Sequence, residues 1–396
     1  MAGLYIHLPF CKSRCIYCAF YSTTQHGLMD KYVDALCKEM ELRNTPPSSL
    51  HTPHSTLHTP HSTLHTIYLG GGTPSQLPPA LLHRLFRNIY KVYEVAADAE
   101  ITMECNPDDI TPDYAKVIGE LPINRVSMGA QTFSDERLRF LHRRHTSKQV
   151  KEAVELLRKN GIQNISIDLM FGFPEESLQD WEQDIHDALA LDVEHLSAYS
   201  LMIEEGTELY RRFGSAGVRE YENSKEELER EMYETLIDRL TAAGYEHYEI
   251  SNFAKKGFRS RHNSSYWNDT PYIGIGAAAH SYCPPALHPQ GLGKRSWNVA
   301  DIKAYIEGMK QGKRLFEEET IDADTHYNDM VTVALRTREG LDLSALSEKH
   351  RTYAIKNARR FINDGLLELT DNRLHLTRRG LFVSDMIMTE LIIPPR

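Results

Sequence analysis

Short apolar, β-branched runs alternate with helical patterns through the first two-thirds of the chain. Their periodicity predicts β-strands over residues 4–8, 66–69, 100–104, 125–128, 164–170 and 195–201. Helical spacing between them predicts helices over 30–43, 79–93, 147–160 and 177–190, several opened by Ser, Asp or Pro and one closed by Gly161. Six strand–helix units in series imply an α/β fold, a parallel sheet with helices outside it. Two clear repeats are missing for a complete eight-unit barrel, so the expected form is a partial (β/α)6 barrel.

After about residue 300 the pattern changes. Residues 302–309, 325–335, 343–350 and 353–364 read as helices, and GLLELTDNRLHLTRRG then reads as two short strands around the turn Asp371-Asn372. Helices, a hairpin and a last helix suggest a small winged-helix-like domain. The chain of 396 residues is thus expected to divide into a barrel with its connecting segment over 1–299 and the small domain over 300–396. Between the first helix and the second strand stands a perfect repeat, HTPHSTL-HTPHSTL-HT, from His51 to Thr66. It carries five of the 19 histidines, but no Cys or carboxylate, and Pro53 and Pro60 block regular structure. A disordered surface insert over 45–65 is expected there rather than a metal site.

Composition narrows the function classes. A hydrophobic content of 41% supports a real core, and no run approaches the roughly 18 apolar residues of a membrane helix. The net charge of −10 argues against broad nucleic-acid binding, which needs a basic surface; the nearly balanced charge after residue 300 gives the winged-helix-like module no such role either. The opening MAGLYIHL has neither a basic nor an apolar leader region, so a cytoplasmic, reducing location is expected, with membrane contact transient at most.

Three cysteines, Cys11, Cys15 and Cys18, follow the first strand as C-x3-C-x2-C within YIHLPFCKSRCIYCAF. A reducing compartment disfavours a disulfide, and a zinc site would need His7 as its fourth ligand and lacks the usual two separated ligand pairs. Thiolates on one short loop can instead hold three irons of a [4Fe-4S] cluster and leave the fourth open for chemistry. Tyr17 could shield such a cluster from water. Cys37, Cys105 and Cys283 stand alone and read as small buried hydrophobes. In a parallel sheet the carboxyl ends of the strands carry the functional loops. The cysteine loop, the GGGTPS after strand two, Glu104 at the end of strand three, Gln131 after strand four and Asp168 in strand five collect on that one rim.

YIHLPFC, YLGGGTPS, ITMECNP, RVSMGAQTF, LHRRH and ISIDLMFGFP, in that order, make the chain resemble the radical S-adenosylmethionine (SAM) superfamily, in its branch of oxygen-independent coproporphyrinogen III dehydrogenases and their HemW-type heme chaperone relatives. The resemblance covers nearly the whole chain except the histidine repeat. It implies that Cys11, Cys15 and Cys18 hold a [4Fe-4S] cluster whose fourth iron SAM chelates. It also implies SAM contacts from Tyr5, Gly71, Gly72, Thr73, Glu104, Gln131, Arg143 and Asp168. Physically, glycines let a ligand approach the backbone, carboxylates suit ribose hydroxyls and an arginine suits a carboxylate.

Two functions of different class fit. One is a radical enzyme that oxidatively decarboxylates coproporphyrinogen III in porphyrin biosynthesis. The other is a carrier that receives heme and hands it to an acceptor such as a membrane cytochrome. The dehydrogenase branch extends its motif to a fourth cysteine two positions after the third and has a longer N-terminal segment; here Phe20 stands at that position and ten residues precede Cys11. RHNSSYWND also contains His262-Asn263-Ser264-Ser265-Tyr266-Trp267, an HNxxYW pattern of the chaperone branch. Histidine is a usual axial ligand of heme iron, which makes His262 the candidate heme contact. The reading leans to the chaperone and away from coproporphyrinogen oxidation, with heme, a heme-accepting protein and an electron donor for the cluster as partners.

Overall fold

The computed structural model describes residues 2–44, 63–288 and 291–394. Six parallel strands stand side by side in chain order, β1 (Ala2–Leu8), β2 (Leu64–Gly71), β3 (Val95–Cys105), β4 (Arg125–Gln131), β5 (Asn164–Phe171) and β6 (His195–Ser200). The connections carry α1 (Met29–Asn44), α2 (Pro79–Val92), α3 (Pro112–Glu120), α4 (Asp135–Phe140), α5 (Ser147–Lys159) and α6 (Leu178–Ala190). Ser177 caps α6 by accepting from the Asp180 amide, and Thr146 with Gln149 forms a capping box on α5. The strands alternate more sharply than a parallel sheet buried on both faces would. Leu4, Ile6, Leu8, Ile67, Leu69, Ile101, Met103, Val126, Met128, Ile165, Ile167 and Leu169 form the main core under the helices. The intervening positions are mostly polar, among them Tyr5, His7, Tyr68, Thr102, Glu104, Arg125, Ser127, Ser166 and Asp168. That second face is the lumen of the partial barrel, and its polarity marks it as a place for a ligand.

The histidine-repeat insert falls at residues 45–62, outside the described residues. Its expected end at 65 shifts, because Leu64, His65 and Thr66 already belong to β2, with Leu64 buried beside β3. The connecting segment contains more structure than its sequence suggested. A long helix α7 (Glu208–Ala242) bends at Gly214, where φ is 68°. It leads into β7 (Glu246–Glu249), β8 (Asn252–Ala254), the short helix α8 (Arg261–Tyr266), β9 (Tyr272–Ile275), β10 (His280–Cys283) and β11 (Gly293–Asn298). β9 pairs in parallel with β1, so neither edge of the six-stranded wall is free: β8 and β7 extend it on one side, β9 to β12 on the other.

The sheet does not stop at residue 300. α9 (Ile302–Lys310) puts Ile302, Tyr305 and Met309 into the main core, and β12 (Phe316–Ile321) pairs with β11 from Phe316 opposite Asn298 to Ile321 opposite Gly293. A separate core begins at Tyr327 and runs to Leu391. It belongs to α10 (Ala323–Ala334), β13 (Leu341–Asp342), α11 (Glu348–Asn363), β14 (Leu367–Thr370), β15 (Arg373–Leu376), α12 (Arg378–Leu381) and α13 (Ser384–Leu391). The division therefore lies near Ile321 and not at 300. Residues 343–350 are not one helix: a single 3-10 turn covers Leu343–Ala345, and Ser347 then caps α11 by accepting from the His350 amide. The hairpin turn forms as read, with Asp371 and Asn372 both at positive φ, the geometry that suits the twist of the flanking strands. No helix of the described residues is long and apolar enough to cross a membrane.

Candidate functional site

The cysteine loop leaves β1 at Leu8 and is held by its backbone. The Cys11 amide donates to Thr23 O at 2.9 Å, the Thr73 amide to Phe10 O at 2.8 Å and the Gly72 amide to Leu8 O at 2.9 Å. On its far side the Ile16 amide donates to Leu141 O, and Ile16 packs with Leu141, Met170, Phe173 and Leu201 in an apolar cluster that Tyr17 joins. All three cysteines are free and half-buried. The Thr73 hydroxyl points to Cys11 Sγ and the Arg143 guanidinium to Cys15 Sγ, each at 3.6 Å. Burial pushes the Cys11 and Cys18 thiols up, so both stay protonated until something binds them.

His7 is not a fourth ligand for zinc. Its Nδ1 pairs with the Tyr5 hydroxyl and its Nε2 with Tyr21 O, both at 3.1 Å, and burial lowers its pKa to about 4. Among the described residues no three His, Cys, Asp or Glu side chains group to hold a single metal ion. A four-iron cluster asks for something else, because it takes each thiolate on a different iron and keeps the sulfurs apart.

The remaining rim residues surround this loop. Gly71 has φ 113°, and a Cβ there would stand 2.7 Å from the His7 ring; at Gly72 it would stand 2.7 Å from the Pro9 backbone. The Gly71 amide donates to Glu104 Oε2 at 3.1 Å, and the Tyr68 hydroxyl to Glu104 Oε1 at 2.8 Å. Burial, offset in part by that hydroxyl, raises the Glu104 carboxyl to about 7, and burial raises Asp168 to about 6 against the Ser197 hydroxyl. Gln131 takes a φ of 68°, unusual for a residue with a side chain, at the point where the β4–β5 register slips; such strain is concentrated at ligand sites. Arg143 donates to Asn106 Oδ1 at 3.0 Å and to Gly129 O, yet its buried Nε has no partner. An unpartnered donor beside a thiol suits a small anionic ligand. Gly71→Ala is expected to lower stability by ~2 kcal/mol or more through backbone strain and the His7 clash, whereas Gly27→Ala, with nothing within 4 Å of its added Cβ, should leave thermal unfolding close to the parent.

His262 sits elsewhere. It lies against Gly3 and Thr66, at the amino ends of β1 and β2, with Nδ1 2.8 Å from the Thr66 hydroxyl and Nε2 2.9 Å from the Tyr266 hydroxyl. It is 0% exposed and stacks on Tyr68 at 5.1 Å. The Glu100 carboxylate holds the start of α8 by accepting from the Arg261 and His262 amides, each at 3.0 Å. Both ring nitrogens are engaged, so His262 offers iron no lone pair; it closes the floor of the barrel. The rim lies a strand's length away, ~17 Å for the five steps from Gly3 to Leu8. Arg125, which sequence reading passed over, is 1% exposed on the lumen face with Nε and Nη1 unpartnered. The polar alternation of RVSMGAQ along β4 was the signal for it.

The chain matches the Radical SAM superfamily over residues 5–188 and the HemN C-terminal domain over residues 321–383. The heme chaperone HemW of Bacillus subtilis is 34% identical over 394 residues, 98% of this chain and 98% of the relative. The chain belongs to the HemW family of the radical SAM superfamily. A second HemW, from Lactococcus lactis, is 31% identical over 98% of this chain and 97% of its own length. The solved structure of coproporphyrinogen III oxidase (HemN) from Escherichia coli, described as a radical SAM enzyme, shares the fold with a TM-score of 0.77 over 98% of this chain and 89% of that one, at 22% identity. The start of the C-terminal match at residue 321 agrees with the end of the large sheet. Within this family fold, Phe20 is 73% exposed on the cysteine loop, where the dehydrogenase motif would place a further cysteine.

Proposed function

We propose that this protein is a heme carrier that holds a [4Fe-4S] cluster and SAM at the carboxyl-end rim of its barrel and passes heme to an acceptor protein, such as a membrane cytochrome, from the cytoplasm. The observation that carries this reading is the near-full-length likeness to proteins named heme chaperones. Phe20 in place of a fourth cysteine supports it.

Cys11, Cys15 and Cys18 would hold the cluster. Arg143, through its unpartnered Nε, would take the SAM carboxylate, Gly71 and Gly72 would leave room for SAM along the backbone, and Glu104 and Asp168 would accept ribose hydroxyls. Tyr5, Thr73 and Gln131 complete the rim. When bound to a reduced cluster, SAM supplies radical chemistry by reductive cleavage, which calls for an electron donor. The residues around it orient SAM and shield the thiols: Thr73 hydrogen-bonds Cys11, and Tyr17 covers the loop from the apolar side.

Hemin titration of the anaerobically reconstituted chain, with a parallel incubation in coproporphyrinogen III, SAM and reductant, tests this. A Soret shift that saturates near one hemin per chain is expected, with no decarboxylation. Decarboxylation without hemin binding would hand the protein to the dehydrogenase reading.

A further inference from the structure

At the amino end of the parallel strands, opposite the cysteine loop, a cavity of about 1050 Å³ opens between the large sheet and the C-terminal domain. Tyr266, Trp267, Tyr272 and Tyr282 line it from the sheet side, His326 and Met330 from α10. Its volume is at the upper end of what cofactor-sized molecules occupy, and its lining joins these aromatic rings to charged side chains, among them Arg259, Arg295, Arg373 and Asp329. Tyr266 stands edge-on to Tyr272 with ring centres 4.7 Å apart, and Tyr272 is tilted by 34° to Tyr282 at 6.1 Å, which groups three aromatic rings along one wall where an apolar ring system can pack.

Among the described residues His326 is the histidine that faces this cavity. Its side chain is 21% exposed, and its Nε2 lies 3.0 Å from Asp269 Oδ1. Asp269 also accepts from the Tyr282 hydroxyl, which fixes the carboxylate. Nδ1 of His326 makes no hydrogen bond to the described residues. His326 lines the cavity with one nitrogen tethered to a carboxylate and the other without a hydrogen bond to the described residues; a carboxylate partner on one nitrogen is how proteins prepare a histidine for a metal, and histidine is a usual axial ligand of heme iron. His262 has neither property.

We propose that this cleft is the heme-docking site and that His326, through Nδ1, is the iron ligand, with the macrocycle laid against Tyr266 and Trp267. The assignment rests on the heme-carrier reading above and moves the iron ligand from the motif histidine to the C-terminal domain. His262 becomes a positioning residue, which holds the Tyr266 hydroxyl from behind. Heme and SAM then occupy opposite ends of the barrel and do not compete for space. Heme is gripped between two bodies that meet through Arg295–Asp329, Arg259–Glu339 and Arg336–Glu249 pairs.

The test titrates full-length reconstituted protein and its His326→Ala variant with hemin and, separately, with metal-free protoporphyrin IX. The parent should bind both. The variant should lose the histidine-ligated Soret position and bind hemin at least tenfold more weakly, while its protoporphyrin IX affinity stays within about twofold of the parent. That split separates a lost iron ligand from a misfolded cleft. Trp267→Ala should weaken both porphyrins. An unchanged hemin spectrum and affinity in His326→Ala, with the parent binding normally, overturns the site alone. Parallel loss of both porphyrins in His326→Ala also overturns His326 as the ligand. A parent that binds no hemin removes the carrier reading and this site together.

Discussion

Replacing Cys11, Cys15 and Cys18 together by Ala is expected to abolish the broad visible absorbance of anaerobically reconstituted protein and its bound iron and sulfide. The three thiols lie on one loop tied at Phe10, Cys11 and Ile16 by backbone bonds that the substitutions leave in place, so the loop should keep its path and thermal unfolding of the unloaded protein should move little. What disappears is the donor set. The Thr73 hydroxyl and Arg143 lose the sulfurs they now approach, and neither can replace a thiolate on iron. Since burial holds the Cys11 and Cys18 thiols above their ordinary range, loading should also improve as pH rises, because each thiol has to shed its proton to bind. Full absorbance and unchanged iron content in the triple variant would sink the cluster assignment.

How far the sequence could be read follows from which positions are forced by the fold. Each of the first six strands alternates a helix-covered apolar side with a polar lumen side, and that pattern is visible in the letters; the strands appear within a few residues of where periodicity places them. The rim follows from topology alone, since a parallel sheet gathers its carboxyl-end loops. The segment from 201 to 299 was opaque for a physical reason. β7 to β10 are three or four residues long, too short to show a period. β12 was missed because it is the outer strand of the sheet: Glu317, Glu318, Glu319 and Thr320 are exposed, a charged edge that resists pairing with other chains and hides the strand from any hydrophobic scan. The domain boundary was misplaced in consequence. HNxxYW was readable as a motif, but no string of letters shows which ring nitrogen is already bonded. His326 has no motif around it; only the approach of α10 to the turn at Asp269 reveals its setting.

His262→Ala is expected to cost the fold ~3 kcal/mol or more at pH 7. The change empties a fully buried site, leaves the Thr66 and Tyr266 hydroxyls without the partners they hold at 2.8 and 2.9 Å, and removes the ring stacked on Tyr68; a cavity and two unpaired buried hydroxyls each contribute. The pH dependence identifies the imidazole itself. Burial, reinforced by the positive charge of Arg125, lowers the His262 pKa from 6.5 to about 3. Between those values the unfolded chain binds a proton at this residue and the folded chain does not. The contribution of the neutral ring is therefore complete above pH 6.5 and declines as pH falls toward 3, by up to about 1.4 kcal/mol per pH unit. Urea midpoints of the unloaded protein from pH 7 to 4 should fall more steeply for the parent than for the variant, so the gap between them narrows in acid. A variant as stable as the parent at pH 7, or one with the parent's full slope, would show that the floor of the barrel does not depend on this histidine, and the case for His262 as a positioning residue behind Tyr266 would go with it.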